Sequence, residues 1–590
     1  MYWHKAVLYS GTGFIQMFLI LSTGILIIHL LKIKVQSIFK MLFYALCTGM
    51  YVWVLVSALF FTQGKTVMLG TIPLILLLFV RYKKNVIPVE KDYTYSWKVV
   101  VQYTLILTMI WFWTSVLNLY TISLDGKALY LSHFDTLHSI EISQQVQKTG
   151  VETYYYWQNS TYTFPYHYAE IWLHAGIQAL WHTQKVWTWQ SILLPLLQTT
   201  LITGLLAMVE QQGKKITFYW IVLACGFILF QGWLNISLPR FDPHFDFTRY
   251  CSMTGAVKYV VVGILCFLYA LSNQSLKVFF LLLLPIFSIL NLPVVVVLAG
   301  IEVIQKQNRI LFLMLLFMLL WITGFYFFTG AKSVVRISLS EVLPVLDAQF
   351  WTMQGYFILI SLVFYLPVFF WVKQKSKIQE MVIIFTTGYG LFFIFYRWYD
   401  SYQFLTLFWI PFVWVSSWEV VVKSTKKHLQ ILLFIVMIFG FVQTVLYKKD
   451  FQRTAIDNVW LNEVYAFLDE KNLLQQGAAL WYYDVKQSHV FCWQNKDCKI
   501  VSLLAKPIPV DGITRKSTLD TLTAYMMQKS LLFQPQSTPD LQKQIIDFCK
   551  RNRLRFLIYP SDTLSFDAYQ AEILYTFQNK KDRLQCIVFK

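Results

Sequence analysis

The chain has 590 residues, of which 57% are hydrophobic, 18% aromatic and only 14% charged. A soluble domain carries roughly 25% charged residues, so a soluble enzyme, a disordered chain and a fibrous repeat are excluded, and continuous apolar runs without period-two alternation exclude an outer-membrane barrel. The net charge of +19 does not mark a nucleic-acid binder: residues 448–590 hold 20 Lys and Arg against 15 Asp and Glu, and the other 30 bases sit in short loops between apolar segments, as topology determinants do.

Apolar segments run at about 8–31, 41–62, 66–80, 99–121, 186–209, 216–235, 257–272, 278–290, 293–304, 310–329, 356–372, 378–396, 401–423 and 431–447. They predict a polytopic α-helical membrane protein of about fourteen spans over residues 1–447, several of them shorter than the ~20 residues an upright helix needs. Asn291 and Pro293 divide 278–304 into a short helical hairpin, or kink one long helix. The first segment lacks a cleavage site and reads as a retained span.

Orientation follows from Lys and Arg. One set of connections holds 19 bases, among them Lys40, Lys98, Lys214, Lys277, Lys306 and Lys423, and is expected in the cytoplasm of an inner (plasma) membrane protein; the other side, with the N-terminus, holds 11. Most acids outside the tail fall on the second side, so carboxylate chemistry is expected to face outward. Three outer segments stand out by length: 122–185, 236–256 and 331–355.

The tail, 448–590, has soluble composition and is expected as a small extracytoplasmic α/β domain. Its predicted strands lie at 478–483, 499–504, 554–559 and 584–589, and its helices at 458–472, 518–533 and 539–552. Cys492 and Cys498 flank W-Q-N-K-D, a spacing that can close a small disulfide loop outside the cytoplasm. Cys47, Cys225, Cys251 and Cys266 lie in or beside spans and read as packing residues.

The first outer loop contains L-S-H-F-D-T-L-H-S-I-E-I-S-Q-Q-V-Q-K, with His133, Asp135, His138 and Glu141. Residues 135–148 suit an amphipathic helix whose Leu137, Ile140 and Ile142 would touch the membrane surface. Asp135 and His138 share a face; such a pair can act as a general base or bind a divalent metal such as Mg or Mn, or Asp135 caps the helix and His138 is solvated. Further on, His167, Glu170 and His174 fall on one helical face, either as a polar wall of a membrane-surface site or within an interfacial segment anchored by Trp172, Trp181 and Trp187. In the second loop Arg240 and Arg249 can hold phosphate bidentately, or pair with Asp242 and Asp246. Arg397, at the end of a span, has Asp400 as its ion-pair partner and either snorkels or serves a function.

The layout resembles the GT-C superfamily of integral membrane glycosyltransferases: many spans, a large first outer loop and an outer C-terminal α/β domain. F-D-T-L-H looks like the family's catalytic-loop acid, F-P-Y-H-Y-A-E-I resembles its aromatic and proline run, and Arg397 to Pro411 is similar to the late Arg-Tyr…Pro element of the polyprenyl-phosphate-sugar-dependent mannosyl- and arabinosyl-transferase-like members. The resemblance implies a polyprenyl-phosphate sugar as donor and a glycan or lipid-linked acceptor. It implies Asp135 as catalytic base with His138 beside it, and Arg397, then Arg249 and Arg240, as phosphate ligands. His133, Glu141, His167, Glu170, Asp242, Asp246 and Asp400 are further residues of the expected cavity. A polysaccharide polymerase or ligase would share the donor but take a polymer acceptor. A lipid-linked substrate transporter or flippase would show paired repeats and midplane charges, which this sequence lacks.

Overall fold

The fold is described from a computed structural model. It describes residues 2–30, 37–62, 97–118, short helical pieces between 139 and 150, 169–229 apart from residue 184, 257–271, 292–306, scattered helical residues between 312 and 355, 375–395, 403–423, 431 and 435, and six strands between 478 and 589.

The helices are α1 (Tyr2–Leu30), α2 (Ile38–Thr62), α3 (Trp97–Asn118), α4 (Ala169–Trp181), α5 (Lys185–Thr188), α6 (Leu194–Gln211), α7 (Phe218–Leu229), α8 (Val257–Leu271), α9 (Leu292–Lys306), α10 (Lys375–Ile394) and α11 (Gln403–Lys423). Three apolar stretches are long enough to cross a membrane among the described residues: Ala6–Ile28, Ile38–Ser57 and Trp189–Gln211. The last is buried over its whole apolar window and forms the centre of the bundle. Predicted segments 66–80, 278–290 and 356–372, and nearly all of 431–447, lie outside the described residues; α9 begins at Leu292 with Pro293 in its first turn, where a proline costs no hydrogen bond.

The surface explains the surroundings. On α3 the side chains of Val101, Leu105, Met109, Phe112 and Val116, spaced by three or four residues, are all exposed, and α1 exposes Leu8, Ile15, Leu19 and Leu26 in the same manner. Each such side chain left in water forgoes about 1.5–3 kcal/mol of burial, whereas lipid tails accept it without penalty. The protein is a helical membrane protein.

Close packing uses small residues. A Cβ on Gly24 of α1 would lie 1.8 Å from the Ala45 carbonyl oxygen, and one on Gly49 of α2 2.0 Å from that of Ile20, so the two helices touch backbone to backbone. Elsewhere aromatics fill the seams: Phe227 of α7 meets Trp414 and Trp418 of α11 with centroids at 4.2 and 5.0 Å, and the Trp418 indole donates to the Leu205 carbonyl of α6 at 3.0 Å.

Helix ends from distant parts of the sequence meet at one end of the bundle. Glu210, in the last turn of α6, accepts from the Ser37 hydroxyl, from the Phe39 backbone N–H at 2.8 Å and from the Tyr103 hydroxyl at 3.4 Å. A carboxylate at the start of α2 satisfies orphan donors and complements the helix dipole. Tyr44 reaches the Leu271 carbonyl at the end of α8, and Lys214 donates to the Val422 carbonyl near the end of α11 while lying 5.3 Å from the Trp220 ring. Partial burial lowers the pKa of that ammonium. Gly213, with φ of 70°, ends α6: its N–H bonds the Glu210 carbonyl and the Lys214 N–H bonds the Val209 carbonyl, a Schellman closure. These five ends, of α2, α3, α6, α8 and α11, are ones the Lys and Arg count assigns to a single side.

Between Lys185 and Gln211 the helix is not uniform. Pro195 has no N–H for the Ser191 carbonyl one turn back, and Trp189–Leu193 widens into a π turn in which the Leu194 N–H bonds the Trp189 carbonyl. The Ser191 oxygen faces α1, 3.2 Å from where a Cβ on Gly13 would sit.

In the tail six strands form one mixed sheet in the order β3-β2-β1-β4-β6-β5: β1 (Ala478–Tyr483), β2 (His489–Trp493), β3 (Ile500–Leu504), β4 (Leu554–Pro560), β5 (Ala571–Gln578) and β6 (Arg583–Phe589). The central pair β1 and β4 is parallel; the other pairs are antiparallel. The four predicted strands are present, but β2 and β5 correct the expectation of only four. The predicted helices 458–472, 518–533 and 539–552 lie outside the described residues.

Candidate functional site

At the end of the bundle opposite Glu210 lie the described pieces of the segment 122–185. The helical pieces at 139–140, 142–143 and 146–147 place Ile140, Ile142 and Val146 in the hydrophobic core, each at most 2% exposed. This corrects the expectation that Ile140 and Ile142 touch the membrane surface. An apolar helix face fits protein as well as lipid, and here the protein takes it.

The partner is α4. The Ser143 Oγ lies 2.6 Å from the His174 Nδ1 and also bonds the Ile140 carbonyl at 2.7 Å. Gln147 uses both amide hydrogens, one on the Ala175 carbonyl and one on the Gln178 side-chain oxygen, each at 2.8 Å. Ser143 and Gln147 are four apart, as are His174 and Gln178, so each pair occupies one face of its helix and the two faces match. The His174 ring stands edge-on to Trp189 of the π turn at 5.2 Å, and Trp181 donates to Gln16 of α1 at 2.7 Å. Gly176 lets α4 approach α2: a Cβ there would meet the Ser57 Oγ at 2.0 Å.

The expected anchors change role. Trp172 and Trp187 are buried in the protein, Trp187 stacked on Tyr9 at 5.6 Å, and Trp181 is half-buried. Trp172 and Trp187 are buried residues, not interfacial anchors, and Trp181 packs partly buried against the core. Glu170 and His174 share the predicted helix and are both buried, at 4% and 0% exposure, so neither lines an open wall among the described residues. Glu170 stands in the first turn of α4, where the helix dipole favours a carboxylate. Cys225 and Cys266 are buried and Cys47 is half-buried, all three as free thiols, in keeping with packing.

His133, Asp135, His138, Glu141, His167, Arg240, Asp242, Asp246, Arg249, Arg397, Asp400, Cys251 and Cys498 lie outside the described residues; of Cys492 only the backbone, in β2 opposite Val501, is described. Among the described residues no group of three His, Cys, Asp or Glu is arranged to hold a metal ion. Sequence reading missed Ser143, Gln147 and Gln178. The signal available was the pair of polar i, i+4 spacings on two apolar helices, which marks polar groups that need partners once buried. No protein family, curated protein or solved structure matches this chain.

Proposed function

We propose that the chain is an integral membrane glycosyltransferase of GT-C type, moving a sugar from a polyprenyl-phosphate donor to an extracytoplasmic glycan, lipid or protein acceptor. In this reading about fourteen spans cross the inner membrane and 448–590 is an outer α/β domain. The supporting observation is the docking of 139–147 and α4 at the end of the bundle away from the basic helix termini. The described residues nearest Asp135 in sequence, Ser139 and Ile140, belong to that end. Asp135 takes the proton of the acceptor hydroxyl, and Arg397 holds the donor phosphate and stabilises charge on the leaving group. His138 stands beside the base, with Arg249 and Arg240 as further phosphate ligands. A divalent metal such as Mg or Mn, if used, would be held by the first-loop acid.

The test is Asp135→Asn in purified protein, assayed with polyprenyl-phosphate mannose, glucose and arabinose and a crude envelope acceptor. Loss of a positioned base costs ~10²–10⁴-fold in rate. Asparagine caps a helix as well as aspartate does, so a mere cap gives wild-type transfer, and that result removes Asp135 from the mechanism. Arg397→Lys should also be damaging, because an ammonium cannot reproduce the planar fork on phosphate.

A further inference from the structure

We propose that Lys214, Lys215 and Lys423, at the basic end of the bundle, form a binding site for the headgroup of an anionic phospholipid in the leaflet on that side. The proposal goes beyond the glycosyltransferase reading and does not depend on it.

The three ammonium groups are brought together by a contact that spans 208 residues of sequence. Lys214 follows the glycine that ends α6 and donates to the Val422 carbonyl, so it stands beside Lys423, the last residue of α11. Lys215 comes directly after Lys214 and is exposed. The nearby carboxylates do not neutralise this group. Glu210, four residues before Lys214, spends its oxygens on Ser37, the Phe39 N–H and Tyr103. Glu419 pairs with Lys423 at 2.6 Å. Among the described residues no carboxylate pairs with Lys214 or Lys215, so three lysines against Glu419 leave an excess of two positive charges. Lys214 has also lost part of its hydration, which lowers its pKa, and has gained a carbonyl oxygen and the Trp220 ring face in return. A phosphate oxygen supplies the counter-charge this arrangement lacks, through a charge-assisted hydrogen bond.

The surroundings select a lipid over a free anion. α7 begins three residues after Lys215, and its start exposes Phe218, Tyr219 and Val222, at 69, 44 and 38%, while Trp220 and Ile221 face the core. Exposed aromatic side chains at the end of a span mark the headgroup level of a bilayer. Phe218 and Val222 are four apart and share a face. A molecule whose phosphate meets Lys215 can lay its glycerol and first methylenes along that face. A soluble anion gains nothing from the apolar strip, and a zwitterionic lipid brings its own ammonium towards the lysines.

The experiment titrates the full-length, detergent-solubilised chain with phosphatidylglycerol, phosphatidylcholine and inorganic phosphate. Bound lipid is counted by native mass spectrometry, and stabilisation is read by tryptophan-fluorescence melting. A lysine beside an anionic headgroup is worth ~fivefold in affinity. Lys215→Gln should therefore weaken phosphatidylglycerol binding ~fivefold and the Lys214→Gln, Lys215→Gln double variant ~25-fold, while Lys215→Arg keeps it. Glu419→Gln frees Lys423 from its pair and should tighten binding by about twofold or more. Loss of Lys214 can loosen the end of α11, so Lys215→Gln, at an exposed side chain, is the deciding variant. Phosphatidylglycerol binding within about twofold of wild type in Lys215→Gln overturns the site. Equal binding of phosphatidylcholine overturns it as an anionic-lipid site, and equal stabilisation by inorganic phosphate overturns the lipid as its occupant. Transfer activity does not enter these readouts: a fully active Asp135→Asn sinks the glycosyltransferase reading and leaves this site standing, and unchanged lipid binding in Lys215→Gln does the reverse.

Discussion

Alanine at Gly24 or Gly49 tests whether α1 and α2 are held at backbone contact. The added methyl would sit 1.8 Å from the Ala45 carbonyl oxygen in the first case and 2.0 Å from that of Ile20 in the second. Both obstacles are main chain inside helices, so no side chain can rotate away. Carbon and oxygen in such contacts settle near 3.3 Å, and the helices must part by more than about 1 Å. Overpacking of this kind costs about 1–3 kcal/mol, against a gain of about 0.5–1 kcal/mol from replacing glycine inside a helix. The net expectation is a loss of roughly 1–2 kcal/mol for each variant. The two contacts lie one turn apart on one seam, so the double variant should cost less than the sum, since parting the helices relieves both clashes. The assay is tryptophan-fluorescence melting of detergent-solubilised protein. Gly11→Ala is the matched control in the same helix, because a Cβ there meets nothing within 4 Å. If Gly24→Ala and Gly49→Ala melt with Gly11→Ala, the backbone contact does not exist.

Three further outcomes follow from single contacts. Glu210→Ala removes the acceptor for Ser37, the Phe39 N–H and Tyr103 and should cost about 1–2 kcal/mol in the same melt, with Glu210→Gln in between. Gly213→Ala places a side chain at φ of 70° in open space, so the loss of about 1 kcal/mol comes from backbone strain alone and Gly213→Asn should recover part of it. Gly176→Ala should lower the melting temperature through its clash with the Ser57 Oγ, and Ser57→Ala should partly restore it; a double variant no better than the single would place the obstruction elsewhere.

The helices of the bundle were legible because the bilayer demands continuous apolar runs with charges between them, and that demand is written in composition. Four strands of the tail were legible from alternation. β2, H-V-F-C-W, is only five residues and draws the eye to its cysteine, while β5 opens on Ala-Glu, a helix-favouring pair. The π turn had a sequence cause, Pro195 inside an apolar segment, but a proline there can equally kink a helix without widening it. The docking of 139–147 was not legible. Periodicity shows that a helix has an apolar face and not what covers it. The partner groups on α4 lie about thirty residues on, and only the fold brings them together.

The two ends of the bundle are built by different chemistry, and this separates stability from activity. At the basic end the described ties act on helix termini: Glu210 on the start of α2, the Schellman closure of α6, Lys214 on the end of α11. Such ties hold elements that carry none of the candidate residues, and their loss should shift melting only. At the opposite end the ties join side chain to side chain within helices, Ser143 to His174, Gln147 to Gln178 and Trp181 to Gln16. There the held elements are α4 and the described pieces of 139–147, which stand nearest in sequence to Asp135. Glu210→Ala and Ser143→Ala can therefore be matched for lost stability and compared below their melting temperatures. The expected result is wild-type kcat per folded molecule in Glu210→Ala and a reduced kcat in Ser143→Ala. Equal kcat values in the matched pair would mean that the opposite end, too, is only scaffold.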